Sequence, residues 1–326
     1  MSKYTNDTGI PLSLAVWLAM DEYEHTSDPY TISATSLLKP TRELILGLQN
    51  SSNSKSEDIS NKISSRFGSD LHAGLEKAWK HHYQQAMLEL GYPQSLVDRM
   101  VINPTELTPN CVPVYVEERV KKQLGKWTIT GQFDLIIDGE LNDLKSTGVY
   151  TYIKQTNTDK YIKQCSIYRW LNPEKVTKEY FNILYAFTDW SKLESIKNKE
   201  YPATRILAQK YSLLSLSEIE SFIRTKLQQL EYLIDKPQSE LPRCTPDELW
   251  MNDPPVFKYY KNPLNKSRST KNFDNEFDAQ QLLAKDGFVG EVVKVMPTPK
   301  ACSYCSVREI CDQAKEYFEQ GLIKGN

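Results

Sequence analysis

Residues 131–145, GQFDLIIDGELNDLK, decide how the centre of this chain folds. Asp138-Gly139 stands between two apolar, strand-forming runs. That dipeptide suits a two-residue type I′ turn, because both loop positions need a positive φ. With Asp138 and Gly139 as the loop, Ile137 pairs with Glu140. The register then sets Asp134 opposite Asp143 and Gln132 opposite Lys145. Directly opposed residues share a face, with Cβ atoms roughly 4.5–5.5 Å apart, and like charges so placed destabilise the sheet. A divalent cation held by carboxylate oxygens is the natural compensation.

In outline this is a site for phosphodiester hydrolysis. Two acids hold Mg²⁺ or Mn²⁺, which polarises a phosphate and acidifies a water. A lysine on the same face stabilises the charge that builds on the phosphate. The competing reading is a solvent-facing hairpin with Lys145 as a surface ion-pair partner. Leu135, Ile137, Leu141 and Leu144 weigh against it, and Ile136 interrupts the acidic face, so two acids sit in a mostly apolar hairpin.

Around this hairpin, residues 10–23 and 33–48 read as helices, and the polar run 49–62 (QNSSNSKSEDISNK) as a surface loop. A helix is expected from about Gly68 to Leu90. Val112–Val120, Trp127–Ile137 and Glu140–Lys145 read as strands. A helix carrying Gln164 and Tyr168 comes next, then a strand in which Phe181, Ile183, Tyr185 and Phe187 alternate with other residues. Thr204–Tyr211 reads as another strand. Leu216, Ile219, Phe222, Ile223, Leu227, Leu230 and Ile234 recur at helical spacing. These readings divide the chain into a helical N-terminal region (1–66), a core (67–240) and a C-terminal region (241–326) packed on that core.

The 326 residues are 40% hydrophobic and 25% charged, with a net charge of −2. Nothing here is basic enough to announce nucleic acid, so a DNA-binding surface has to be a local patch. Lys258, Lys261, Lys266, Arg268 and Lys271 supply one candidate. No run reaches the roughly 18 apolar residues of a membrane span. The N-terminus lacks a basic-then-apolar leader. The expected compartment is the cytoplasm, or a host's cytoplasm if the chain is phage-encoded. There, cysteines serve as ligands or buried thiols more than as disulfides.

Gly131-Gln132-Phe133-Asp134, then Asp143-Leu144-Lys145, then Gln164-Cys165-Ser166-Ile167-Tyr168 together resemble the motifs of RecB-type PD-(D/E)xK nucleases. Phage exonucleases and CRISPR-associated adaptation nucleases share that set. The resemblance implies an α/β, restriction-endonuclease-like fold: a mixed central sheet flanked by helices, with a C-terminal metal-cluster extension. It implies that Asp134 and Asp143 bind Mg²⁺ or Mn²⁺ and that Lys145 assists the attacking water. Gln164 and Tyr168, four apart on one helix face, would line the DNA path. The family's histidine, on an earlier helix after a glycine, corresponds to His72 in Gly68-Ser69-Asp70-Leu71-His72. A further glutamate before the second motif corresponds to Glu117 or Glu118, with Glu118 preferred. Ser33 and Ser36 resemble the first motif, or simply cap a helix.

Cys302, Cys305 and Cys311 form C-x2-C-x5-C, a spacing that points to metal. In the resembled family such a tail, with one distant cysteine, holds a [4Fe–4S] cluster that staples the C-terminal end. Structural zinc on the same thiolates is the alternative. Cys111, Cys165 and Cys244 are the candidates for the fourth ligand. Cys244 is preferred, because it lies in a loop just before Thr245-Pro246-Asp247-Glu248, which has the form of a capping box. The implied function is a metal-dependent deoxyribonuclease, an exonuclease working at DNA ends in recombination, repair or phage DNA metabolism. A helicase or a single-strand annealing protein would be its partner, with no membrane involved. The rivals are a CRISPR-type adaptation nuclease and a non-catalytic DNA-binding module that keeps the nuclease fold.

Overall fold

The computed structural model describes residues 3–20, 28–50, 56–251 and 254–323. The chain divides into two compact units. One comprises residues 1–39 and 52–228, the other residues 40–51 and 229–326.

The first unit is built on a seven-stranded mixed sheet. Its strands are β1 (Thr31–Ser33), β2 (Met100–Ile102), β3 (Val112–Leu124), β4 (Trp127–Ile137), β5 (Glu140–Thr147), β6 (Tyr180–Phe187) and β7 (Ile206–Ser212). The order is β2-β3-β4-β5-β6-β7, with β1 pairing alongside β4. Helices flank it, giving the restriction-endonuclease-like α/β fold that the sequence implies. Two of these helices carry motif residues: α1 (Ile63–His81) and α2 (Thr158–Leu171).

The central strands form because they are apolar nearly throughout, as strands covered on both faces are. Phe133, Leu135 and Ile136 of β4 and Leu141 and Leu144 of β5 are all buried. In β6 the apolar side chains alternate strictly between buried and half-buried. β3 and β4 run antiparallel around the Gly125-Lys126 turn, with Leu124 opposite Trp127. β5 and β6 run parallel, so the chain must cross over between them, and α2 lies in that connection. A cluster of Met87, Val97, Met100, Val114, Val116 and Leu135 fills the core beside β3.

The expected turn forms. Asp138 (φ +48°) and Gly139 (φ +82°) both take the left-handed conformation of a type I′ turn. Ile137 pairs with Glu140, Ile136 with Leu141 and Leu135 with Asn142. The turn is also clamped from outside, since Thr177 and Lys178 donate their backbone N–H groups to the Gly139 carbonyl.

Elsewhere the boundaries move. The helix expected over 33–48 is instead strand β1, a helical turn at Ala34–Leu37 and a helix at Thr41–Gln49. Pro40, with a non-helical ψ of 139°, stands between the two helical pieces; it has no N–H with which to continue the first and disfavours helix in the residue before it. The helix expected from 68 to 90 starts already at Ile63 and breaks at His82, whose φ is −131°. The helix expected over 10–23 runs from Leu12 to Ala19, and residues 21–27 lie outside the described ones. In the expected loop 49–62, residues 51–55 likewise lie outside. Its end forms a 3₁₀ turn, Ile59–Lys62, capped by the Asp58 carboxylate.

In the second unit, Val256–Tyr260 pairs with Lys271–Phe273 and with Glu291–Val295 in a small antiparallel sheet. Among the described residues, no helix is long and apolar enough to cross a membrane.

Gly139 offers a direct test of the hairpin. A Cβ there would lie 2.0 Å from Thr177 Oγ1 and 3.2 Å from Thr177 Cβ, on a backbone that already disfavours side chains. Gly139→Ala is expected to destabilise the protein by about 1–3 kcal/mol, read as a lowered urea midpoint. An unchanged midpoint would contradict the turn assignment.

Candidate active site

The hairpin ladder stops at Leu135 and Asn142, one step short of the two acids. There the backbone N–H of Leu144 donates to the Asp134 side chain, Oδ2, at 2.6 Å. A carboxylate has replaced the facing carbonyl, so β5 departs from β4 at the point where the acids meet and continues along β6. Asp134 is 7% exposed and Asp143 1%. Lys145, two residues further on β5, sets its Nζ 2.5 Å from Asp143 Oδ2. By distance this is an ion pair, yet both Asp143 oxygens are buried without an aligned hydrogen-bond donor. Burial pushes the Asp143 carboxyl above its ordinary range, Lys145 opposes that rise, and Asp134 adds to it. Burial also works against the Lys145 charge, but Asp143 and Asp134 outweigh it and hold the ammonium firmly protonated.

From the other side, α1 brings His72 and β3 brings Glu117. His72 Nδ1 lies 3.1 Å from Asp134 Oδ1 and 3.5 Å from Glu117 Oε1. The ligand atoms of His72, Glu117 and Asp134 lie within 4.8 Å of one another. Gly68, one turn before His72, lets the helix approach β5 closely. A Cβ at that glycine would come within 3.1 Å of Ser146 Oγ. Glu117 takes a positive φ of +51°, costly for a residue with a side chain at roughly 1–3 kcal/mol. Its Oε1 is buried without a hydrogen-bond donor.

Of the two glutamates, the structure brings Glu117 and not the preferred Glu118 to this group. Glu118 ion-pairs with Lys175 instead, and it is Glu117 that reaches His72 and Asp134. The register of β3 on β4 holds the signal. Val116 faces Leu135 and Glu118 faces Phe133, so Glu117 falls opposite Asp134. The Gly125-Lys126 turn makes that register readable, by the same reasoning that places Asp143.

The third motif group lies on α2. Gln164 and Tyr168 are buried and joined, Gln164 Nε2 donating to Tyr168 Oη at 2.8 Å. Gly131 explains itself here. A Cβ on it would sit 2.7 Å from Leu171 and 3.0 Å from the Tyr168 ring. Only glycine lets α2 rest so close to β4. Cys165 is fully buried, and its thiol is held protonated by burial and by the charge of Asp143. The Lys145 ammonium also lies over the Tyr161 ring, 5.7 Å from its centroid.

Ser33 caps the short helix that follows it, its Oγ accepting from Ser36 N–H at 3.1 Å. Cys244, Cys302, Cys305 and Cys311 all belong to the second unit, whereas Cys111 and Cys165 belong to the first. Burial pushes the Cys244 thiol up to about 12, and the Glu248 carboxylate adds to that rise. The capping box after it forms, Thr245 N–H donating to Glu248 Oε2 and Glu248 N–H to Thr245 Oγ1. In the basic stretch, Lys266 pairs with Glu291 at 2.7 Å and Lys261 with Asp286 at 3.9 Å.

One imidazole and two carboxylates, those of Glu117 and Asp134, are a fitting set for a divalent cation, and Asp143, paired with Lys145, stands outside that close group. Without metal, His72 stands in as the cation. Burial lowers its basicity, but its close contacts with Asp134 and Glu117 and their charges outweigh that and raise it from 6.5 to about 10. A raised folded-state value stabilises fully below the unfolded value and is lost as pH climbs through the folded one. In chelator, the wild-type melting temperature should therefore fall between about pH 6.5 and 10 by more than that of His72→Gln. Parallel curves would refute the stand-in role.

A family model described as the PD-(D/E)XK nuclease superfamily matches residues 42–312. No curated protein matches the chain. Among solved structures, one titled as the crystal structure of SSO0001 shares 17% identity at a TM-score of 0.39, covering 67% of this chain and 83% of that one. An alkaline exonuclease (LHK-Exo) from Laribacter hongkongensis shares 12% identity at a TM-score of 0.29, covering 68% and 94%. Both likenesses are distant. The family match spans most of the chain and takes in β3 to β5, α1 and α2, so the chain belongs to the PD-(D/E)XK nuclease superfamily.

Proposed function

We propose that this nuclease is a Mg²⁺- or Mn²⁺-dependent deoxyribonuclease, an exonuclease that hydrolyses phosphodiester bonds at DNA ends in recombination, repair or phage DNA metabolism. The observation that carries the reading is the close grouping of His72, Glu117 and Asp134, with the Asp143–Lys145 pair acting on the same acids from the next strand. His72, Asp134 and Asp143 hold the ion, with Glu117 in the part expected of Glu118. The ion, when bound, supplies Lewis-acid activation of a phosphate and of water. Lys145, anchored by Asp143, faces the reacting phosphate, where a fixed ammonium stabilises growing negative charge and orients the attacking water. Gln164 and Tyr168 position the strand. The motif resemblance to phage exonucleases supports the preference for DNA ends, and a helicase or annealing protein fits as a partner.

The test is cleavage of linear and circular DNA with Mg²⁺ or Mn²⁺. Wild type should degrade the linear form and spare the circle. Asp143→Ala and Lys145→Ala should each lower kcat by about 10²–10³ while staying folded. Cleavage of the circle would replace the exonuclease reading with an endonuclease. An inactive wild type would favour a DNA-binding module.

A [4Fe–4S] cluster on Cys244, Cys302, Cys305 and Cys311 belongs to the same proposal. Several contacts within the second unit support it. Gln313 grips the Cys244 backbone twice, accepting from its N–H at 2.8 Å and donating to its carbonyl at 3.1 Å. The buried Arg42 donates from Nε to Cys311 Sγ at 3.3 Å, as suits a sulfur that carries negative charge in a cluster. Protein purified without oxygen should be brown and carry about four iron atoms per chain, and Cys244→Ser should lose them. Stoichiometric zinc in colourless protein would assign the zinc alternative.

A further inference from the structure

We propose that Gln132, itself oriented by Arg119, is a positioning residue that aims Glu117 at the metal site. Arg119 Nη2 donates to Gln132 Oε1 at 3.2 Å, and Gln132 Nε2 donates to Glu117 Oε2 at 2.7 Å. Arg119 lies directly opposite Gln132 in the β3–β4 ladder, and Glu117 is two residues along β3 on the same face. The inference rests on the metal-dependent reading of the site and concerns one of its ligands.

A glutamine amide has an acceptor end and a donor end. The guanidinium can only donate and an ionised carboxylate can only accept, so one amide orientation satisfies both neighbours. The flipped one would set donor against donor and acceptor against acceptor. Arg119 thus fixes which way Gln132 points, and Gln132 takes one oxygen of Glu117 while leaving the other, Oε1, turned toward His72 and Asp134. Direct pairing of Arg119 with Glu117 would do something different, since a guanidinium tends to engage both carboxylate oxygens at once. The relay transmits the arginine's hold without occupying the ligating oxygen.

Two further features fit. Glu117 takes a left-handed backbone conformation, which persists only where the surroundings determine it. Gln132 is exposed, so packing in the core does not account for it. Outer residues that orient metal ligands commonly change metal affinity by about 10- to 100-fold when removed.

The experiment measures Mn²⁺ binding to the full-length protein, without DNA, by the electron paramagnetic resonance of the free ion. Wild type, Gln132→Met, Arg119→Met and the double variant are compared, with melting temperatures in chelator as the control for folding. Gln132→Met should weaken Mn²⁺ binding by about 10- to 100-fold at an unchanged melting temperature. In DNA cleavage its loss should appear as a raised requirement for Mn²⁺, with kcat recovered at saturating metal. Arg119→Met should lose less. The double variant should bind Mn²⁺ no more weakly than Gln132→Met alone, because residues acting in series are not additive. Unchanged affinity in Gln132→Met, or losses that multiply in the double variant, would overturn the relay. A wild type that takes up no Mn²⁺ would overturn the metal site itself and the relay with it.

Discussion

Negative charge is hard to keep inside a protein, and the first unit gathers three carboxylates in one place, with Asp143 almost wholly sealed from water. Burial of a charge is costly unless partners compensate it. Among the described residues the charged partners beside them are the Lys145 ammonium and the His72 imidazole, each held more basic than usual by the acids beside it. Three carboxylates against two cations leave an imbalance, and the oxygens without donors mark where it falls. The surrounding architecture serves this concentration of charge. A sheet core buries the acids, a helix delivers the histidine, and the β4–β5 ladder ends beside them.

Close approach is the second requirement, and two glycines supply it. Gly131 lets α2 lie against β4 with no room for a methyl group, which sets Tyr168 and its partner Gln164. Gly68 brings α1 near Ser146, which lets His72 reach Asp134 one turn later. Both glycines have ordinary φ values, so they provide room for a neighbouring element rather than backbone freedom. Interiors packed to crystal-like density turn a single added methyl into a displacement of the facing element. At this site such a displacement would carry a motif side chain with it.

Much of this is legible in the sequence, for reasons particular to each element. Asp138-Gly139 fixes its turn because few dipeptides accept two positive φ angles. From that turn the register, and with it the neighbourhood of Asp134, Asp143 and Lys145, comes by counting. Gln164 and Tyr168 are readable because four residues make about one helical turn. Sequence reasoning names both Glu117 and Glu118 but prefers Glu118, although the same counting applies. The Gly125-Lys126 turn is a weaker signal, and nothing local announces a left-handed glutamate. The end of the β4–β5 ladder is equally hidden, since it depends on a side chain, Asp134 Oδ2, outcompeting a backbone carbonyl for Leu144 N–H. Pro40 is visible in the sequence, but the apolar periodicity of 33–48 masks its power to split the helix expected there.

In an antiparallel pair the N–H of each strand normally finds a carbonyl across the way. When Asp134 takes the Leu144 N–H instead, one of its oxygens is committed at 2.6 Å and the carboxylate can no longer rotate freely. Its other oxygen, Oδ1, is thereby presented to His72 at 3.1 Å. Glu117 is treated alike, one oxygen taken by Gln132 and the other left facing inward. Both acids thus commit one oxygen to the protein and keep one facing inward, so their geometry is set by the protein itself. Such preorganisation lowers the entropy cost of binding. It also means that the strain of crowded, partly unsatisfied carboxylates is carried by the folded chain itself, which the raised basicity of His72 relieves only while that ring keeps its proton.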